Sequence, residues 1–385
     1  MTWSSPTDEA AARRLVLGLS GPALHADEAV FLSRHPLAGV ILFSRNLTGG
    51  VEALADLVAE LHARAVRPLT LWIDQEGGRV QRLREPLTRF PSAAAYATLG
   101  PAGAELARMA GQVCGEELAA LGIGVNCAPV LDIREEGADP VIGERAFGTT
   151  PEQVIPLAGA WLAGLHAAGV LAVGKHFPGH GAARADSHKS LPVVDKSAAA
   201  LRHWELRPFA ALLEQLPALM TAHLVASGVD PLQPATWSLP WLQDLLRREW
   251  GYTGLVVSDA IEMGALQGPL SRRAENTAAA GCDLVLCCTG RLEDGMACVE
   301  GVERAVRRLR QEHAESLSRL RRLLLPRQCP PAGTLAALLR DPRYLERRQR
   351  IESLAAQHQQ AADPTEAAPS PPVGSPQSPL QRQPS

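Results

Sequence analysis

The 385 residues carry 46% hydrophobic and 21% charged side chains with a formal net charge of -3, which describes a soluble globular chain of one large or two ordinary domains. Near-neutral charge without a basic stripe interleaved with aromatics gives no reason to expect nucleic acid as a partner. No run approaches the roughly 18 uninterrupted apolar residues of a membrane span, and MTWSSPTDEAAARR at the start lacks the apolar stretch of a secretory signal.

In chain order, short apolar runs at residues 15–19, 39–43, 69–73, 125–128, 171–174, 218–222, 255–258 and 283–287 read as strands. Amphipathic stretches at 51–67, 102–121, 151–168 and 198–214 read as helices between them. Eight strands alternating with helices predict parallel βαβ units closing into a (β/α)8 barrel of the α/β class, a single domain over residues 1–345. In residues 301–327 arginines alternate with leucine and valine at helical spacing, which predicts a solvated helix lying on the barrel. Residues 346–385 form a C-terminal extension. From Gln359 it is rich in proline, serine and glutamine and poor in apolar residues, so disorder is expected there. Seven cysteines (Cys114, Cys127, Cys282, Cys287, Cys288, Cys298 and Cys329) are odd in number and scattered. They point to buried thiols in a reducing compartment rather than to a disulfide framework. The adjacent pair Cys287-Cys288 lacks the spacing of a zinc site.

Polar residues that directly follow a barrel strand sit at its C-terminal face, where active sites are built. Ile73 runs into Asp74, Gly174 into Lys175-His176, Ala222 into His223 and Ser258 into Asp259. One such aspartate alone often caps a helix, and one such histidine is often structural; four endings at one mouth point to a site. The segment GKHFPGHGAARADSHKSLP, residues 174–192, adds His180, Asp186, His188 and Lys189 at the same end.

Four ordered motifs carry a family resemblance. Lys175-His176-Phe177-Pro178-Gly179-His180-Gly181, followed by Asp186-Ser187-His188, resembles the signature loop of the glycoside hydrolase family 3 β-N-acetylhexosaminidases. Residues 73–82 (IDQEGGRVQR) resemble a second family motif, residues 143–148 (GERAFG) a third, and Val257-Ser258-Asp259 the segment carrying the nucleophile. The resemblance spans roughly residues 13–345. It implies a cytoplasmic enzyme of cell-wall recycling that removes N-acetylglucosamine from 1,6-anhydro-muropeptides with retention of configuration and no cofactor. It further implies that Asp186 and His188 form the acid-base dyad and that Asp74, Arg82, Arg145, Lys175 and His176 hold the sugar.

The residues support the chemistry independently. Retaining hydrolysis needs a nucleophile on one face of the sugar and a proton donor for the leaving oxygen. Asp259 is the better nucleophile candidate, because a barrel-strand end holds a carboxylate rigidly beneath a sugar; Ala260 follows it, so the adjacent acid pair of substrate-assisted hexosaminidases is absent. A histidine titrates near neutrality, so His188 can give a proton and later accept one, with Asp186 orienting its ring. Arg79 and Arg84 compete with Arg82 for the sugar-binding role but are expected to face solvent or neighbouring loops. Glu262 is a third carboxylate, in a segment that departs from the Asp-Asp-Leu-Ser-Met often seen in bacterial relatives. His180 has no assigned chemical role.

Two other classes stay open at the level of sequence. A metal-dependent barrel hydrolase would use His176, His180, His223 and Asp259 as ligands, although no His-x-His follows the first strand. A non-catalytic sugar-binding protein has no need for both Asp259 and the dyad. The expected partners are a small muropeptide or a chitooligosaccharide-type substrate, with no nucleic acid, no membrane and no metal, and the chain is expected to be a monomer.

Overall fold

The eight apolar runs bury both of their faces, and that double burial dictates the architecture. The computed structural model describes residues 11–324 and 335–358; Cys329 and the chain from Gln359 onward lie outside them. Strands β1 (Leu15–Gly18), β2 (Gly39–Leu42), β3 (Thr70–Ile73), β4 (Val125–Asn126), β5 (Leu171–Phe177), β6 (Ala218–Thr221), β7 (Leu255–Ala260) and β8 (Leu284–Cys287) form a closed barrel. Each pairs in parallel with its neighbours, and β1 closes on β8 with Val16 opposite Leu286. Alternate residues divide between two cores. Val16, Trp72, Val173 and Val257 fill the barrel interior, while Leu15, Leu71, Ala172 and Val256 pack outward against the helices. This period of two, with both faces apolar, is what makes the strands read as continuous hydrophobic runs.

The surrounding layer includes α1 (Ala26–Arg34), α2 (Gly50–Arg64), α3 (Gly103–Ala120), α4 (Pro151–Ala167), α5 (Ala198–His203), α6 (Arg207–Leu212), α7 (Leu270–Ala280) and α8 (Leu292–Arg308). Where one helix was expected over 198–214 there are two. Ser197 caps the first by accepting the Ala200 N–H, and Pro208 stands in the first turn of the second, a position it tolerates far better than the middle of a continuous helix. A short parallel pair, Val193–Ser197 with Val225–Gly228, stands outside the barrel and has no counterpart in the predicted elements.

The segment 301–327 also departs from expectation. The chain breaks at Leu309 between α8 and α9 (Arg310–Leu324). One face of α9 is exposed, as expected of a helix lying on the barrel, but the other inserts Leu320 and Leu324 into the interior core beside Leu255 and Leu284, at the N-terminal end of the strands. Beside that plug Arg319 donates to Asp283 and Arg322 to the Thr253 carbonyl. A final helix, α10 (Pro342–Ala356), is capped by Asp341 and packs on α3. There Tyr344 is buried with its hydroxyl donating to Glu117 Oε1 at 2.7 Å, and Arg347 forks onto Glu116 at 3.0 and 2.7 Å. The boundary expected at residue 345 falls inside this helix.

Candidate active site

At the C-terminal end of the barrel a cavity of about 510 Å³ is lined by Asp74, Arg145, Lys175, His176, His180, His188, Asp259 and Glu262, among others. Six of the eight candidate residues therefore share one space. The other two support it from behind: Arg82 is buried and pairs with Asp74, and Asp186 holds His188. His223 does not line it. Its ring is fixed between the Thr236 hydroxyl (2.7 Å) and the Ala260 carbonyl (3.0 Å), and burial lowers its pKa.

The floor is an ion network. Lys175 Nζ lies 2.8 Å from Asp74 Oδ1 and 2.6 Å from Glu76 Oε1. Arg145 grips Glu76 through two hydrogen bonds of 2.8 Å and donates a third to the Val141 carbonyl. Burial alone would push these carboxyls up, but the facing cations win: Arg145 and Lys175 hold Glu76 far below the ordinary range, and Lys175 and Arg82 hold Asp74 below it. Burial works against the Lys175 charge too, yet Asp74 and Glu76 keep it firmly protonated.

The hairpin that makes this possible depends on two glycines. Gln75–Gly77 turns back onto Val80–Gln81 with Gly77 (φ +96°) and Gly78 (φ +60°) in the left-handed region, and a Cβ on Gly77 would sit 2.5 Å from the Pro91 carbonyl. The reversal returns Arg82 Nη2 to within 3.2 Å of Asp74. Arg79 is buried against the neighbouring loop, donating to the carbonyls of Pro140 (2.6 Å) and Val141 (2.9 Å), whereas Arg84 is exposed.

On the next wall, β5 carries both Lys175 and His176 into the cavity although successive residues of a regular strand face opposite sides. The register with β6 shifts between Gly174 and Phe177, and that irregularity re-aims the side chains. Asp132, buried beside them, accepts from His176 Nδ1 at 2.6 Å and from the backbone N–H of His176 and of His180. His176 Nε2 is left facing Arg145 at 3.4 Å.

The loop from His176 to His188 is pinned rather than loose. A Cβ on Gly181 would lie 1.8 Å from the Ile133 carbonyl, so glycine serves close backbone approach there and not flexibility. His180 Nε2 meets the Ser187 hydroxyl at 3.1 Å, and burial beside His176 lowers its pKa to about 4, which leaves it neutral and structural. The loop is stitched to the segment after Asp259, where Gly264 N–H donates to His188 O (3.0 Å) and Ala265 N–H to Ser187 O (3.1 Å). Asp186 Oδ1 receives both the backbone N–H of His188 (2.9 Å) and its Nδ1 (2.7 Å). Burial opposes the Asp186 charge, but the bonds from His188 keep it below the usual carboxyl range. The ring is thereby set with Nε2 free to exchange a proton.

Asp259, near the end of β7, accepts one short hydrogen bond, from the Ala260 N–H at 2.8 Å, and no cation pairs with it among the described residues. Burial pushes its pKa up, yet His176, His223 and His188 together hold it below the usual value. It is an ionised carboxylate with unused acceptor capacity, facing a cavity that also contains an oriented imidazole. Such an arrangement can form and hydrolyse an ester at a sugar carbon.

Two buried carboxylates that hold the candidate residues in place, Glu76 and Asp132, are not singled out by the sequence. Glu76 sits inside a quoted motif, but its grip on Lys175 and Arg145 depends on hairpin geometry. Asp132 follows the apolar run Pro129-Val130-Leu131, so the strand-ending rule extended past β4 would have found it. Among the described residues no set of three His, Cys, Asp or Glu side chains converges to hold a metal ion, and no helix is long and apolar enough to cross a membrane.

Known proteins share this arrangement of chain. The glycosyl hydrolase family 3 N terminal domain matches residues 13–325. A β-hexosaminidase of Alkalilimnicola ehrlichii is 45% identical over 281 residues, covering 71% of this chain and 80% of that protein; one from Pseudomonas aeruginosa is 42% identical over 311 residues, covering 80% and 90%. Among solved structures, native NagZ from Neisseria gonorrhoeae superposes with a TM-score of 0.78 at 32% identity, covering 89% of this chain and 97% of that one. A family 3 β-N-acetylglucosaminidase from Paenibacillus superposes at 0.82 with 34% identity, covering 92% and 69%. With its barrel and cavity built on the same matched residues, the chain belongs to glycosyl hydrolase family 3, among its β-N-acetylhexosaminidases.

Proposed function

We propose that the protein is a retaining exo-β-N-acetylglucosaminidase that removes N-acetylglucosamine from 1,6-anhydro-muropeptides during peptidoglycan recycling in the cytoplasm. The observation that carries this reading is the pairing, across one cavity, of an ionised Asp259 with open acceptor capacity and a His188 ring set by Asp186. Asp259 attacks the anomeric carbon as the C1–O bond breaks, and His188 gives its proton to the departing oxygen. The sugar is then an ester of Asp259. Water gives its proton to His188 and attacks C1 as the bond to Asp259 breaks, and the sugar leaves with its original configuration while Asp259 returns to the carboxylate.

Lys175, Arg145, His176 and Asp74 hold the sugar hydroxyls, and the charge-assisted bonds among them fix the ring as well as bind it. Arg82 acts through Asp74. The six cysteines among the described residues are buried and unpaired, which supports a reducing compartment, and the relatives named above support the N-acetylhexosamine specificity.

A panel of aryl β-glycosides tests the sugar: N-acetylglucosaminide should turn over far faster than glucoside or xyloside, and equal or better turnover of glucoside would refute the reading. Release of N-acetylglucosamine from a purified 1,6-anhydro-disaccharide peptide tests the aglycone, with chitooligosaccharide as the competing substrate.

A further inference from the structure

Glu262 lies three residues beyond Asp259 and lines the same cavity, yet the mechanism above makes no use of it. Its Oε1 accepts the Cys288 N–H at 2.9 Å, and its Oε2 is shielded from solvent with no hydrogen-bond partner. Among the described residues none places a positive charge at bonding distance from it. From β7 it faces Asp259; from the end of β8, Cys288; from α8, Cys298 and Asp294, the latter held by Arg291 at 2.8 and 3.0 Å. Arg273 of α7 interacts with it through space, but its guanidinium is directed at the carbonyls of Ile261, Met263 and Gly268; Arg45, close by, is directed at the carbonyls of Leu19 and Cys288.

An ionised carboxylate cannot rest there without cost, because one oxygen has no donor and the neighbouring carboxylates repel it. A protonated carboxyl can. Burial, followed at longer range by Asp259 and Asp294, raises its pKa to about 7 even against the backbone bonds that favour its charge.

We propose that Glu262 is a positioning residue for the nucleophile, holding its proton while Asp259 is a free carboxylate and releasing it to solvent when Asp259 becomes the glycosyl ester. The inference rests on Asp259 being the nucleophile. Ester formation removes one negative charge from beside Glu262: the Asp259 Oδ–C1 bond forms, the bond to the leaving group breaks, and the leaving group departs with its electrons. Repulsion of the Glu262 carboxylate falls, the carboxyl ionises, and its proton passes to water. The negative charge beneath the sugar is thus partly replaced as it is consumed, and the field felt by the positively charged transition states on either side of the intermediate changes less than it would with Asp259 alone.

The test is proton release on trapping the intermediate. A 5-fluoro N-acetylglucosaminyl fluoride loses fluoride without needing a proton, so in weakly buffered solution at about pH 6.5 protons set free on labelling come from the protein. A drop of roughly one unit in a carboxyl that titrates near the working pH frees roughly half a proton per label. The wild-type enzyme should show this, and Glu262→Gln should label Asp259 to the same extent with the release reduced by that amount; any contribution from His188 is common to both.

Equal release from both proteins, with the label on Asp259, overturns the inference alone. A label mapped to another carboxylate overturns the nucleophile assignment and the inference with it. Should the Gln variant fail to fold, infrared difference spectra of wild-type enzyme carrying 13C in its glutamate carboxyls decide: labelling should bleach a protonated glutamate band and raise a glutamate carboxylate band, and an unchanged glutamate spectrum overturns the proposal.

Discussion

The two ends of the barrel bury the same kinds of charge and leave them in opposite conditions. At the N-terminal end Asp283 is fully buried and accepts from Val256 N–H (2.8 Å), Arg247 Nη2 (2.6 Å), the Ser316 hydroxyl (2.8 Å) and Arg319 Nε (2.9 Å). Arg14 beside it spends its donors on the carbonyls of Asp283, Ala278 and Cys282. Both oxygens of that carboxylate are occupied, and Leu320 and Leu324 of α9 close the interior. At the C-terminal end the buried pairs around Glu76 are as tightly made, but Asp259 accepts one hydrogen bond and His188 is a third exposed. Buried charge alone therefore does not mark the site. The mark is unspent hydrogen-bonding capacity facing a space large enough for a ligand.

That contrast fixes what matched substitutions should do. Asp259→Asn should lower turnover by about a thousandfold or more, because an amide cannot form the glycosyl ester, while the melting temperature stays near wild type. Asp283→Asn should do the reverse. Removing a charge that three arginines surround should destabilise the fold by about 3–5 kcal/mol, and the residual folded enzyme should turn over normally. Parallel kinetics and denaturant melts separate the two. If Asp259→Asn melts early or Asp283→Asn folds normally, the two ends are not distinguished by spent and unspent capacity.

A smaller effect sharpens the upper end. His188→Ala should slow substrates with poor leaving groups far more than activated aryl glycosides, which leave with little protonation. With the base missing, the activated substrate should show a burst as the Asp259 ester accumulates, and azide should partly restore turnover. Asp186→Asn should lose less in the same direction, since the ring remains but its protonated form loses the partner now at 2.7 Å. Uniform losses across leaving groups without a trapped ester would make His188 a binding residue.

The barrel was legible in the sequence because strands buried on both faces leave unbroken apolar runs, and all eight appear within a few residues of their expected bounds. Asp74, Lys175, His176 and Asp259 were legible for a related reason: each stands where such a run turns polar. What stayed hidden depends on contacts between distant segments. Asp132 matters through two histidines more than forty residues away, Glu76 through Arg145, and α9 plugs the barrel because two of its leucines meet strands that precede it by dozens of residues. The break in α8–α9 at Leu309 carries no proline or glycine to announce it.

The smallest expected effect tests whether a buried carboxyl remote from the cavity behaves like the lower end of the barrel or like Glu262. Glu117 on α3 accepts from Thr88 N–H (2.9 Å) and the Tyr344 hydroxyl (2.7 Å), tying α10 to the barrel. Burial raises its pKa to about 7 despite those bonds. Its unfolded value lies in the ordinary carboxyl range near about 4.3, so the folded state binds the extra proton between the two. The stability this supplies is complete below the unfolded value and is lost as pH rises through about 7. Melting temperature measured across that window should fall with rising pH in the wild-type protein, and Glu117→Gln, neutral throughout, should flatten the fall while leaving turnover unchanged. Both bonds it accepts can still be accepted by the amide oxygen, so the loss at low pH should be small, on the order of 1 kcal/mol. A pH dependence that survives the substitution would place the titrating group elsewhere and leave Glu117 ionised, a carboxylate satisfied in the manner of Asp283.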